Sequence, residues 1–239
     1  MACGEMFYTF RCVVCGNLHR SYVTCKKRTC QKCARIRSSQ LVAMYLPVVS
    51  TFQWVSFLTL TLKIVKQGTV RDQVDRIVAS FRKLRRRKVW NGKRGIFSIE
   101  IVKKEKGFWY VHLHTLIDSK WMDQRALSSV WREITGDSFV VYIKRIWNRK
   151  SSIESTLREV LKYQTKIWEL DEGDKEFVEN TFKHRRFVNS FGIEKPEKPK
   201  FKGMKCKVCG GDLELFEEGL SYRGSSENHQ NFCEELNSS

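Results

Sequence analysis

Two histidines separated by one residue, His112 and His114, lie in the stretch from Phe108 to Ile117. Aromatic and β-branched residues fill it, Gly107 precedes it and Asp118-Ser119 follows it, which is the composition of a β-strand. Side chains alternate along a strand, so both imidazoles share one face while Val111, Leu113 and Thr115 take the other. Imidazoles so spaced form a ready pair of metal ligands, although ordinary sheets also bury histidines in hydrogen bonds. The neighbouring segment bears on the choice. Gly95 to Val102 alternates with Phe97, Ile99 and Ile101 on one face and Ser98 and Glu100 on the other. Lys103 to Gly107 then turns the chain into a hairpin. If residue 103 pairs with 109, Glu100 lies opposite His112, with Cβ atoms about 5 Å apart. Two imidazoles and one carboxylate make a mixed nitrogen and oxygen set suited to Mg²⁺ or Mn²⁺ engaging a phosphate.

Tyr163 is the second candidate. Ser151-Ser152 can cap a helix that runs to Trp168. On it Ile153, Leu157, Val160, Leu161, Gln164 and Trp168 form one stripe, and Glu159, Tyr163 and Lys166 form another nearly opposite. Tyr163 therefore stands off the apolar stripe, between a carboxylate and a lysine. A phenol with a free pKa of about 10 is a poor nucleophile. A nearby metal ion and a cation would steady its phenolate and the phosphorane-like transition state.

The cysteines suggest a different metal. Cys12-x-x-Cys15 and Cys30-x-x-Cys33, with Cys25 between them, offer five thiols, four of which would close a structural zinc site. Cys25, Cys30 and Cys33 form a compact trio that could recruit either Cys12 or Cys15, and Cys3 and His19 read as bystanders. A second knuckle, Cys206-x-x-Cys209, could be completed by His229 and Cys233. Nine cysteines, with no secretory pattern in Met1 to Arg11, point to metal in a reducing compartment.

These groups need elements to position them. Phe52 to Ile64 reads as an apolar central strand, Val70 to Leu84 as an amphipathic helix, and Asp174 to Val188 as a further helix. Glu194 to Lys200 is a stiff, charged linker. The net charge of +18 predicts a polyanionic partner, nucleic acid before membrane. The run from Arg82 to Lys88 and the bases around the first thiols suit phosphate contact. No apolar run approaches the roughly 20 residues of a membrane span. No phosphate-binding GxxxxGK[ST] motif is present, so unwinding of duplex would fall to a host helicase.

In combination the segments resemble the HUH endonucleases, and among them the single-tyrosine rolling-circle replication initiators of small plasmids and some viruses. Cys25 to Cys33 is similar to the family's amino-terminal cysteine motif, and Phe57-Leu58-Thr59-Leu60-Thr61 to its first strand motif. Glu100 with His112-Leu113-His114 is similar to its metal site, and Glu159 to Lys166 to its nucleophile motif. One departure is Tyr110-Val111, where the family often has proline or asparagine before the first histidine. The resemblance implies an α+β fold, with a largely antiparallel central sheet, helices on one face and flanking zinc modules. The implied divisions are a zinc module at 1–45, an endonuclease domain at 46–190, a linker at 191–203 and a zinc-ribbon-like module at 204–239.

The implied activity is site-specific nicking and rejoining at a replication origin. Tyr163 would be the nucleophile, Lys166 would offset charge beside it, and Glu159 would assist the terminating cleavage. His112, His114 and Glu100 would hold Mn²⁺ or Mg²⁺. The implied partners are origin duplex and single strand with a host helicase and polymerase, in a prokaryotic cytoplasm. A transposase or relaxase could run the same chemistry on other DNA ends, and a zinc regulator could bind DNA without cutting it.

Overall fold

The computed structural model describes residues 3–105, 107–147, 150–162, 166–194 and 205–220. In chain order the elements are β1 (Met6–Cys12), β2 (Leu18–Tyr22), α1 (Gln31–Val49), β3 (Val55–Thr61), β4 (Val65–Lys66), α2 (Val70–Leu84) and β5 (Arg94–Glu105). They continue as β6 (Phe108–Asp118), α3 (Gln124–Thr135), β7 (Val141–Ile146), α4 (Lys150–Lys162), α5 (Glu172–Thr181), β8 (Val188–Phe191) and β9 (Leu213–Leu220). The chain divides into two compact units, 27–200 and a second unit drawn from 1–26 and 201–239.

In the larger unit an antiparallel sheet runs β7-β3-β6-β5-β8, with β4 pairing to β6. Strands β3, β5 and β6 are central because each is apolar on one whole face. Leu58, Leu60, Phe97, Ile99, Trp109, Val111 and Leu113 point to one side, where α2, α3 and α5 cover them. Of the six residues expected in the α2 stripe, Val70, Val74, Ile77, Phe81 and Leu84 are buried against this face and Val78 is partly buried beside them. Each such side chain contributes about 1.5–3 kcal/mol by leaving water. Asp123 caps α3 by accepting from the Ala126 amide at 2.8 Å.

Helices cover both faces rather than the single face expected. On the other side Val55, Ile96 and Leu116 bury against Val42, Tyr45 and Val49 of α1 and Ile153, Leu157, Val160 and Leu161 of α4. The reason lies at the Asp118 end of the sheet, where Ile96 and Leu116 make the second face apolar as well. Toward the other end that face turns polar, with Ser98, Glu100, His112 and His114.

The tyrosine helix is also shorter than its periodicity suggested. Helix α4 is described over Lys150–Lys162, and Lys166–Glu169 form a 3₁₀ turn.

The smaller unit holds a three-stranded sheet in the order β2-β1-β9, antiparallel throughout. Strands from the two ends of the sequence thus share one sheet, in place of separate modules at 1–45 and 204–239. Residues 31–45, placed in the first module, lie in helix α1, which belongs to the larger unit. Glu214, Glu217 and Glu218 on β9 give this sheet mixed charge, where its amino-terminal half alone read as basic.

Candidate metal and nucleophile site

The hairpin register is the one the alternation predicted. Lys103 pairs with Trp109, and Glu100 lies directly opposite His112. Strand β3 flanks the histidine strand on its other side, with Thr59 opposite His114 and Thr61 opposite His112. Two rows therefore cross one face of the sheet. One runs Tyr142, Thr59, His114, Ser98, and the other runs Thr61, His112, Glu100.

Within these rows each imidazole is held at the same ring nitrogen. His114 Nδ1 lies 3.0 Å from Thr59 Oγ1, and His112 Nδ1 lies 2.9 Å from Thr61 Oγ1. His114 Nε2 is 2.9 Å from Glu100 Oε2, a pair that is 6% and 9% exposed. The carboxylate reaches diagonally to His114 although its Cα partner is His112, a span within range of a long side chain. Phe57 stacks on His114 at 5.9 Å and Tyr110 on His112 at 5.7 Å. Burial holds the His112 imidazole below its ordinary pKa, with Glu100 pulling the other way and His114 adding to the depression. The balance favours the neutral ring, the form that ligates a metal.

The donor set fits a divalent ion: two imidazole nitrogens, one carboxylate and hydrogen-bonded outer partners. The side chains are drawn together by hydrogen bonds. Among the described residues only two groups of thiols bring three or more ligand atoms within 4.8 Å of one another. Ligation by all three groups would draw Glu100 from its bond to His114 and bring the rings, 5.9 Å apart at their centroids, closer.

Tyr163 lies outside the described residues, as do His229 and Cys233. The helix that leads to Tyr163 is described, and it is anchored on the histidine face. Ser98, which pairs with His114 across the hairpin, donates its hydroxyl to the Val160 carbonyl at 2.5 Å. Leu157, Val160 and Leu161 are buried beneath this helix, as the apolar stripe predicted. Glu159 is partly exposed and pairs with Lys162 at 3.1 Å.

In the smaller unit the thiols group differently from the five-thiol set. Cys12 and Cys15 meet Cys206 and Cys209, all four sulfurs lying within 4.8 Å of one another. Cys12 is 3.4 Å from Cys209, and Cys15 is 3.5 Å from Cys206. The two knuckles repeat one geometry. Each Cys-x-x-Cys is followed by a glycine at φ of 73°, Gly16 and Gly210, whose amide donates to the carbonyl of the first cysteine. The Cys15 amide, 3.5 Å from the Cys12 sulfur, leads the effects that lower that thiol to about 6 and favour the thiolate that metals bind. His19, set aside from its spacing, has Nε2 3.2 Å from the Cys206 sulfur. Cys30 is the N-cap of α1 and Cys33 lies in its first turn, both in the larger unit, whereas Cys25 belongs to the smaller.

Residues 17–213 match a family described as replication protein. The chain belongs to that family. A curated relative, "Protein rep" of Bacillus amyloliquefaciens, is 28% identical over 168 residues, covering 61% of this chain and 49% of the relative. The chain thus spans about half the length of that relative. No solved structure matches. The resemblance to rolling-circle replication initiators, drawn from the four motif segments, is borne out at the level of the family.

Several residues that shape this face carried no assigned role in the sequence. Thr59 and Thr61 were legible as part of an alternating strand, and the same period of two puts them on the histidine face. Tyr142 and Lys144 of the edge strand β7 continue that face, opposite Thr59 and Phe57, and both are exposed. Trp147, just beyond β7, is 79% exposed, and Trp54 lies under the Arg145 guanidinium at 4.6 Å. Among the described residues no helix is long and apolar enough to cross a membrane.

Proposed function

We propose that this chain initiates rolling-circle replication by nicking one strand at an origin and rejoining it. In this reaction the Tyr163 hydroxyl oxygen bonds to the scissile phosphorus as the bond to the 3′ oxygen breaks. The phenol proton ends on the departing oxygen, leaving a 5′-phosphotyrosine and a 3′-OH that primes synthesis. Rejoining is the reverse attack by a 3′-OH, which restores the phenol. His112, His114 and Glu100 hold a divalent ion, Mn²⁺ or Mg²⁺, which polarises the phosphate when bound. Glu159 assists the terminating cleavage, and Lys166 offsets charge at the nucleophile.

One observation carries the reading: the helix leading to Tyr163 is fixed to the histidine face by the Ser98–Val160 hydrogen bond, in a chain of the replication protein family. The exposed Tyr142 and Trp147 beside Lys144 and Arg145 supply stacking surfaces and positive charge for a single strand. The net charge of +18 supplies non-specific attraction to duplex. Family membership favours a replicon origin over transposon ends. A host helicase and polymerase complete the reaction, in a prokaryotic cytoplasm.

Zinc is the structural metal. Cys12, Cys15, Cys206 and Cys209 take one ion, with His229 and Cys233 no longer needed to complete it.

The test uses the full chain, Mn²⁺ and end-labelled single-stranded oligonucleotides tiling the origin of its replicon. A covalent protein–DNA adduct is expected, and Tyr163→Phe should remove it while leaving binding intact. Binding without an adduct in any divalent metal would instead establish a non-cutting DNA-binding regulator.

A further inference from the structure

We propose that Thr59 and Thr61 are positioning residues of the histidine site, each fixing one imidazole through Nδ1 so that Nε2 is the ligand atom. The inference rests on the reading of His112, His114 and Glu100 as a metal site. Three observations carry it. The geometry occurs twice, with the same atoms at 3.0 and 2.9 Å. Each threonine is the direct cross-strand partner of its histidine, so the contact follows from the register. Lastly, Thr59 serves a buried ring whose other nitrogen is already committed to Glu100.

The choice of a hydroxyl has a chemical consequence. A neutral imidazole carries its proton on one nitrogen and a lone pair on the other. In the neutral ring with its proton on Nε2 toward Glu100, Nδ1 accepts and the Thr59 hydroxyl donates. For Nε2 to ligate, the proton must sit on Nδ1, and the same hydroxyl must then accept. Rotation about one C–O bond meets both demands. A backbone carbonyl could serve only the second, and a valine neither. Outer partners of this kind fix the tautomer and the ring plane of metal-bound histidines, and their loss typically costs about 10- to 100-fold in metal affinity.

Strand propensity makes the opposite prediction, which permits a clean test. Valine is at least as good a strand former as threonine, and serine is worse. If the threonines merely build the sheet, Thr59→Val and Thr61→Val should be harmless and the serine variants harmful. If they position the rings, the order reverses. The experiment compares Mn²⁺ binding by calorimetry with ¹⁵N imidazole shifts of the metal-free full chain, for valine and serine variants at both sites. The expected result is folded valine variants with shifted His112 or His114 nitrogens and Mn²⁺ affinity lower by about 10- to 100-fold. The serine variants should stay within about threefold of the parent, well inside that loss. Valine variants that bind Mn²⁺ like the parent would overturn the proposal. A parent that binds no more Mn²⁺ than His112→Ala would overturn the metal site, and the proposal's ligand role with it. In that case the metal-free spectra still report separately, because unchanged imidazole nitrogens in the valine variants would also overturn the hydroxyl–histidine bonds.

Discussion

Single residues decide how the sheet presents its chemistry. Asp118 closes the histidine strand with a buried carboxylate that accepts from the Gln53 and Trp54 amides at 3.1 and 3.0 Å and from Arg94 Nε at 3.0 Å. Removing it leaves two amides and a partly buried guanidinium without their acceptor. Asp118→Ala should therefore cost about 2–4 kcal/mol in urea unfolding, and a loss below about 1 kcal/mol would show that water replaces the carboxylate freely. In the sequence Asp118 read only as a strand terminator, because its partners lie 24 to 65 residues away. Glu100 was legible through its register. Its choice of His114 over His112 was not, since alternation fixes which face a carboxylate takes and says nothing about the diagonal reach of its side chain.

Elements are tied by a few ion pairs across the helical layer. Arg185, just beyond α5, forks onto Asp75 of α2, with Nε to Oδ1 at 2.8 Å and Nη2 to Oδ2 at 2.5 Å. Hydrogen bonding to Arg185 holds the Asp75 carboxyl below its usual range. The folded pKa thus lies below the unfolded value of about 3.9, so this stabilisation is present above that pH and fades as acid titrates the folded carboxyl. The Asp75 side chain is 58% exposed, so the contribution is screened and should stay under about 1 kcal/mol. Asp75→Asn should therefore shift urea midpoints slightly at pH 7 and flatten their decline below about pH 4 relative to the parent. An unchanged acid limb would remove Asp75 as its cause. Amphipathic α2 was readable because its stripe repeats over four turns. The end of α4 was not, because an apolar stripe continues through Trp168 whether or not the backbone stays helical.

At the scale of the whole molecule, strands β1 and β9, far apart in sequence, meet in one sheet and bring four thiols together. Cys12 and Cys209 are 197 residues apart in sequence and their sulfurs lie 3.4 Å apart. A structural ion there would close a very long loop, which is where a clasp removes most entropy from the unfolded chain. The purified full chain should contain zinc, and Cys206→Ser should lower its content by one ion per chain by elemental analysis. The same change should expose Cys12 and Cys15 to thiol reagents. Zinc content unchanged by Cys206→Ser would show that these four thiols hold no ion.

Local pattern settled much of this protein. Period-two alternation fixed the histidine face and the hairpin register, period 3.6 fixed the buried stripes of α2 and α4, and composition pointed to a polyanion partner. Those features depend on neighbours within a few residues, and sequence carries them directly. Tertiary structure decided what depends on distant partners: which thiols share a site, which hydroxyls hold the imidazoles, and that helices cover both faces of the sheet. A cysteine knuckle or a strand threonine looks the same in sequence whichever segment packs beside it. Only the folded chain chooses that segment.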